Sequence, residues 1–443
     1  RLYINDGKGN FKLAVNALPI NYTSKLCVRA ADFNKDGKPD LFVSGRVDPG
    51  KYPKPVSSFI FRNDSEKGNV KFTDVTDEVA PDLKNIGMVC DALVTDFDND
   101  NQPDLVLTGE WMPITFLKNM QGKFIDVTSA SGLSDKKGWW NSIVAGDFRH
   151  TGRTDYIVGN IGLNTLYQAS DEYPVYITAK DFDNNGGYEA FISLYLKDQN
   201  GEKKEFPANG RDDVIERLPA MKKRFDHYKS FATATMQEIF PPAKMDSAIR
   251  MKANMLQSCF IQNDGAGKFT MKPLPKEAQI SMLNGMVADD FDGDGNLDVL
   301  INGNDYGTEI SIGRYDALNG LLLKGNGSGG FLPLSIQQSG IYIPGNGRAL
   351  VKLSGSAGNY LVAASQNKGA LKLFELKRKV TILKISPSEI YALVKHKNGK
   401  TEKREFYFGS SYLSQSARFL NINEDISSVT IFDNKGNQRV VQL

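Results

Sequence analysis

The sequence predicts an all-β fold assembled from a repeated four-strand unit. Three observations carry that prediction. A nine-residue acidic loop recurs along the chain, and each copy runs into a short apolar strand. Hairpin signals follow, with turns such as Asn263-Asp264-Gly265 between short strand-like segments. Glycine is abundant, at 41 residues, as a chain with many tight turns requires.

The clearest loop is Asp290–Asp298. Carboxylates stand at its positions 1, 3, 5 and 9, as Asp290, Asp292, Asp294 and Asp298. Gly295 takes position 6, where a tight loop needs a residue free of the Cβ restriction. Four acids at this spacing repel one another unless a cation sits among them. An oxygen-only donor set suits a hard ion, and a crowded, flexible set suits calcium better than magnesium. An EF-hand is excluded, because the flanks read as strands and position 12 is Ile301 rather than Glu.

The design recurs. Asp32–Asp40 supplies Asp32, Asn34, Asp36 and Asp40, and Asp96–Asp104 supplies Asp96, Asp98, Asp100 and Asp104. Asp181–Glu189 supplies Asp181, Asp183, Asn185 and Glu189. In each of these four loops the backbone carbonyl at position 7 completes the set: Lys38, Gln102, Gly187 and Asn296. One calcium is expected in each. A fifth copy, Asp147–Asp155, keeps its end carboxylates but carries Arg149, Thr151 and Arg153 between them. No calcium is expected there, and a guanidinium should neutralise Asp147 or Asp155 instead. One such loop would be an ordinary turn, but five copies form an internal repeat.

Asp-Phe-(Asn/Asp)-x-Asp-Gly-x-x-Asp entering a strand such as Leu41-Phe42-Val43 resembles the FG-GAP or VCBS repeat of integrin-alpha-type β-propellers. The stretch Gly409-Ser-Ser-Tyr-Leu-Ser-Gln-Ser416 resembles the signature of ASPIC/UnbV domains. The resemblance implies a calcium-binding propeller in an exported or cell-surface protein of the bacterial envelope type. For some members it implies a link to outer-membrane nutrient-uptake transporters. The chain opens on a string like the second half of a unit, so a signal sequence and earlier repeats are expected upstream.

Taken in order, whole units start near Cys27, Cys90, Ser142, Val175 and Met286, and a sixth without an acidic loop spans 348–376. With the partial opening unit the count is about seven blades, a common propeller number. Residues 197–257 interrupt the fourth unit. Val214, Ile215, Leu218, Met221 and Phe225 fall near helical spacing, and Ile239, Met245, Ile249 and Met251 continue the pattern, so a mostly helical insertion is expected. The propeller is expected over 1–378, and 379–443 reads as a separate small β domain.

Composition narrows the function. Basic and acidic residues nearly cancel, at 54 against 52, so nothing draws the chain to nucleic acid. No apolar run reaches membrane-spanning length. Cys27, Cys90 and Cys259 match no zinc or redox spacing and read as buried fillers. His150, His227 and His396 fall in no metal-ligand pattern, and no nucleophile elbow, phosphate loop or dinucleotide fingerprint occurs. The expectation is a non-enzymatic module that binds protein or glycan. The alternative is a propeller-face hydrolase or lyase acting on a polysaccharide. If every acidic loop joins a first strand to a second, all lie on one rim. The opposite rim then collects Arg46, Tyr52, Trp111, Trp139, Trp140, Tyr306, Arg314 and Tyr315, residue types that commonly anchor interfaces. That rim is the expected partner face.

Overall fold

The structure, a computed structural model, describes residues 1–309 and 312–443. It is all-β with antiparallel sheets and short helices between them. The first sheet joins Val28–Ala31, Asp40–Val43, Phe59–Asn63 and Phe72–Asp74 in sequence order. The second joins Met88–Thr95, Asp104–Pro113, Thr115–Met120 and Lys123–Asp126, with Lys137–Trp139 added on Asp104–Pro113. Another joins Leu283–Asp289, Asp298–Gly303, Leu321–Gly325 and Phe331–Leu334. Gly347–Ser354, Tyr360–Gln366 and Lys372–Glu375 make a three-stranded sheet without an acidic loop.

The third unit departs from the linear reading. Ser142–Gly146 and Asp155–Gly159 lack a hairpin of their own. Cys259–Gly265 and Lys268–Pro273 supply it across a long insertion, with Tyr156 opposite Ile261. The fourth acidic loop therefore lies within that insertion. It joins Val175–Lys180 to Glu189–Lys197, in a sheet completed by Lys203–Pro207 and Ile249–Ala253. The expected helix through Ile249 and Met251 is thus a strand, paired with Val175–Lys180. Helices occupy only the middle of the insertion, from Arg211–Arg217 to Pro242–Met245. Their apolar side chains, Val214, Leu218, Phe225, Phe231 and Ile239, pack with Phe182 and Phe191 of the inserted sheet.

The first strands of successive units pack side by side. Val28–Ala31 meets Met88–Thr95, which meets Ser142–Gly146, then Leu283–Asp289, then Gly347–Ser354. Separate apolar clusters fill the spaces between neighbouring sheets. Phe42, Leu105 and Phe124 belong to one, Phe116, Trp140 and Tyr156 to the next, and Phe260, Val299 and Leu323 to a third. Strands such as Leu105-Val106-Leu107 are buried on both faces, which is why they read as continuous apolar runs rather than alternating ones. An asparagine near the end of the third strand ties units together. Asn119 Nδ2 donates to Phe33 O, and Asn263 Nδ2 donates to Phe97 O, each in the preceding unit.

The C-terminal segment forms six strands in two sheets. Its Gly409–Ser416 stretch reaches the first strands of the repeat units. Ser411, buried, accepts a hydrogen bond from Met286 N at its Oγ and one from Arg29 at its carbonyl. Ala30 N donates to Phe408 O, and Ala417 N donates to Lys352 O. Residues 408–417 thereby connect the first repeat sheet to the three-stranded one.

Candidate metal loops and an adjoining cleft

All five acidic loops share one backbone. Position 4 is left-handed in each, at Lys35, Asn99, His150, Asn184 and Gly293, and so is position 6, at Gly37, Asn101, Gly152, Gly186 and Gly295. The position 1 carboxylate holds the turn together. Asp32, Asp96, Asp147 and Asp181 each accept the amide of position 5 on one oxygen and that of position 6 on the other. Asp290 accepts Gly295 N and, in place of position 5, Gly293 N.

In loop two the carboxylates of Asp96, Asp98, Asp100 and Asp104 converge within 4.8 Å. Asp104 is fully buried; Oδ1 accepts Asn119 N at 2.7 Å, and Oδ2 has no hydrogen-bond partner. Burial, with the neighbouring aspartates, pushes its pKa up to about 8. A buried carboxylate oxygen left unpaired costs free energy, and a cation would relieve it. Lys118, from the third strand, supplies part of that charge by pairing with Asp98 and with Asp100. Loop five repeats the arrangement. Asp290, Asp292 and Asp294 converge within 4.8 Å, and Lys324 pairs with Asp292 and Asp294. Asp298 stands apart from that group, with its oxygens on Phe291 N and Gly325 N, and burial lifts its pKa to about 7.

Loop four brings together Asp181, Asp183 and Glu189. Asn185 donates to Asp183 and accepts from Gly187 N. In loop one Asn34 donates to Asp36, while buried Asp40 accepts Phe33 N and Asn63 N. The position 7 residues keep their place in every turn, as the amides of Lys38, Gln102, Gly187 and Asn296 each bond the position 5 side chain. Loop three matches its sequence. Arg149 Nε and Nη2 donate to Asp155 at 3.0 and 2.9 Å, and Asp147 takes backbone amides including Lys403 N.

A cleft of about 390 Å³ opens where loops one and two meet the C-terminal segment. Its walls include Asp32, Asp96, Ile390, Tyr391, Tyr407 and Phe408. Ile390 and Phe408 are among the exposed large apolar side chains of the chain. The signal for this cleft in the sequence was absent, because its two halves come from opposite ends of the chain.

The expected partner face is corrected by burial. Trp111, Trp139, Trp140 and Tyr315 are 3%, 9%, 0% and 6% exposed, too little to anchor a partner. Trp111 stacks edge-on against Trp139, and Trp139 against Tyr167, in a cluster shared with Val175, Ile177 and Leu194 of the inserted sheet. Trp111 Nε1 donates to Tyr52 Oη, which donates to Glu110, and Arg46 pairs with Glu110. Tyr52, Tyr306 and Arg314 remain at the surface, with Arg314 lying over the Tyr306 ring. The physical reason is the insertion: its sheet covers the ends of the second strands, and the aromatic side chains fill the seam. Trp111→Ala is therefore expected to destabilise the fold by about 3–5 kcal/mol. Urea unfolding followed by circular dichroism checks this, and a loss under about 1 kcal/mol would return Trp111 to the surface reading.

Among the described residues no helix is long and apolar enough to cross a membrane. No curated protein matches the chain. The crystal structure of the V. cholerae biofilm matrix protein Bap1 overlaps 95% of this chain at 12% identity, with a TM-score of 0.26. The overlap spans 59% of that protein, and at this level it supports no statement about fold or function. The FG-GAP-like repeat family matches residues 1–43 and 96–158. Those segments contain loops one, two and three, so the FG-GAP-like match falls on three of the five acidic loops.

Proposed function

We propose that the chain is a calcium-stabilised, non-enzymatic binding module of an exported or cell-surface protein, built as a β-propeller of about seven blades with an ASPIC/UnbV-like module. The observation that supports it most is the convergence of the loop-two carboxylates around an unpartnered buried oxygen of Asp104. Asp96, Asp98, Asp100 and Asp104 would hold one calcium; Asp181, Asp183 and Glu189 another; Asp290, Asp292 and Asp294 a third. Asp32, Asp36 and Asp40 would hold a fourth on the strength of the shared backbone. The ion would hold the rim of each unit in shape.

The same reading assigns the ligand to the cleft beside loops one and two. Tyr391 and Phe408 offer aromatic surface there, suited to a sugar ring or an apolar peptide side chain. The carboxylates that reach the cleft are already engaged. Asp32 holds Asp36 N, Gly37 N and Asn434, Asp96 holds Asp100 N, Asn101 N and Lys403, and Glu405 holds Asp96 N, Thr95 and Tyr407. None is free to act as a general acid and base pair, which favours binding over hydrolysis or lysis. An accessory role beside an outer-membrane uptake complex fits a module of this kind.

Affinity electrophoresis against a polysaccharide panel, with peptide binding in parallel, tests the cleft. Tyr391→Ala should weaken retention about tenfold or more, given that one ring–ligand contact supplies roughly 1–3 kcal/mol. Equal retention of parent and variant would remove the cleft from the reading. Shortening of a polysaccharide during the assay would favour the hydrolase or lyase.

A further inference from the structure

Two of the three histidines of the chain meet in space although no spacing in the sequence pairs them. His150 stands at position 4 of the third acidic loop, the one whose acids at positions 3 and 5 are missing. His396 closes strand Glu389–His396 of the C-terminal segment, and Glu402 lies on the next strand, Thr401–Glu405. The two imidazole centroids are 5.5 Å apart at 87°. One ring nitrogen of each histidine and one oxygen of Glu402 lie within 4.8 Å of one another. His396 is 3% exposed and Glu402 fully buried.

The hydrogen bonds fix which nitrogens carry protons. His396 Nδ1 lies 2.9 Å from Asp425 Oδ2, and a carboxylate only accepts, so Nδ1 carries the hydrogen. His150 Nε2 lies 3.0 Å from Asn296 Oδ1. The Asn296 amide is oriented by its Nδ2, which donates to Asp294 at 3.0 Å, so Oδ1 faces His150 and Nε2 carries that hydrogen. The remaining ring nitrogens, His396 Nε2 and His150 Nδ1, are both buried without a hydrogen-bond partner. Glu402 Oε2 is 3.5 Å from His396 Nε2, too far for a good hydrogen bond, and the carboxylate is oriented by Arg404, which donates to both of its oxygens. Each imidazole thus has one N–H anchored and one nitrogen bare, the state in which a metal-ligating histidine is held ready for an ion.

We propose that His150, His396 and Glu402 form a transition-metal site of the zinc class that pins the C-terminal segment to the third and fifth acidic loops. Two imidazole nitrogens and one carboxylate suit Zn²⁺ and disfavour the hard calcium ion. Asp425 and Asn296 are its orienting partners, and Asn296 also belongs to loop five. Three protein ligands leave one tetrahedral position for water. The site falls at the one loop that lacks acids at both position 3 and position 5.

The test uses the full chain, stripped with chelator and refilled with excess calcium so that the oxygen loops are occupied. Zinc chloride is then titrated by calorimetry, and cobalt(II) is added separately to read its visible absorption. The parent should take up one zinc, and its cobalt form should show the intense d–d bands of a four-coordinate nitrogen and oxygen site. His150→Ala, a half-buried position, should lower zinc affinity at least about 100-fold, and Asp425→Asn should lower it about 10–100-fold. His227→Ala, at an exposed histidine, should change nothing. Undiminished zinc affinity in His150→Ala would overturn the proposal. So would a parent that binds no zinc and leaves cobalt octahedral, which would mean that His396 is a protonated partner of Glu402 and Asp425. The cobalt spectrum is read on the parent alone, so the outcome does not depend on any variant folding.

Discussion

Moving the chain from calcium into excess chelator should lower its melting temperature by about 5 °C. Binding confined to the folded state contributes about 2.7 kcal/mol per site when the ion is at a hundredfold excess over its Kd. Loops two and five alone would then supply about 5 kcal/mol, at roughly 1 °C per kcal/mol for a chain of this size. The effect should be cut by charge the chain itself supplies, since Lys118 and Lys324 pair with the acids of those two loops. Asp104→Asn should remove part of the calcium increment, because it lowers the charge of the set at its buried member. Loop three provides the comparison within the molecule. It has the same left-handed positions at His150 and Gly152, with Arg149 on Asp155 in place of an acidic set, so its variants should show no calcium increment. Differential scanning calorimetry in calcium and in chelator, with bound metal counted, settles the matter. A melting temperature that is the same with and without bound calcium would sink the idea.

Arg29→Met should cost about 3–5 kcal/mol, a large share of the stability of an ordinary domain. Arg29 is 2% exposed and pairs with Asp91, which is fully buried. Its Nε donates to Ala92 O at 2.6 Å and its Nη2 to Ser411 O at 2.9 Å. Asp91 also accepts Ala92 N and Ile143 N, so one ion pair joins the first three units to the C-terminal segment. Removing the guanidinium strands a carboxylate that burial already pushes up to about 6. Asp91→Asn in the same chain should restore part of the loss, because the unpaired charge is then gone. Chemical unfolding of the two single variants and the double variant measures the coupling. Additive losses across that cycle would show that the pair does not act as a unit.

The repeat was legible because loop chemistry is local. Nine consecutive residues decide where Asp290 or Asp96 points, and the left-handed positions 4 and 6 follow from turn geometry that neighbours do not alter. The guanidinium of loop three was legible for the same reason, since Arg149 needs to reach only Asp155 within its own turn. The β character of the C-terminal segment was legible as well, since its strands meet in local turns such as Asn398-Gly399.

What the sequence hid depends on which segments pair across long separations. Nothing local tells Tyr156 that its partner strand carries Ile261, so the fourth loop read as a unit in line rather than as part of an insertion. That one change buried Trp111, Trp139 and Tyr315 under the inserted sheet and removed the expected aromatic face. Apolar periodicity near Ile249 suited a helix, but pairing with Val175–Lys180 made it a strand. The cleft at Tyr391 and the meeting of His150 with His396 likewise arise only where the C-terminal segment packs on the loops. By itself the sequence determined the all-β class and the acidic turns, because these rest on interactions within a few residues. Tertiary structure alone decided the nesting of the units, the burial of the aromatic residues and the joining of distant histidines, because contacts between remote segments carry no local pattern.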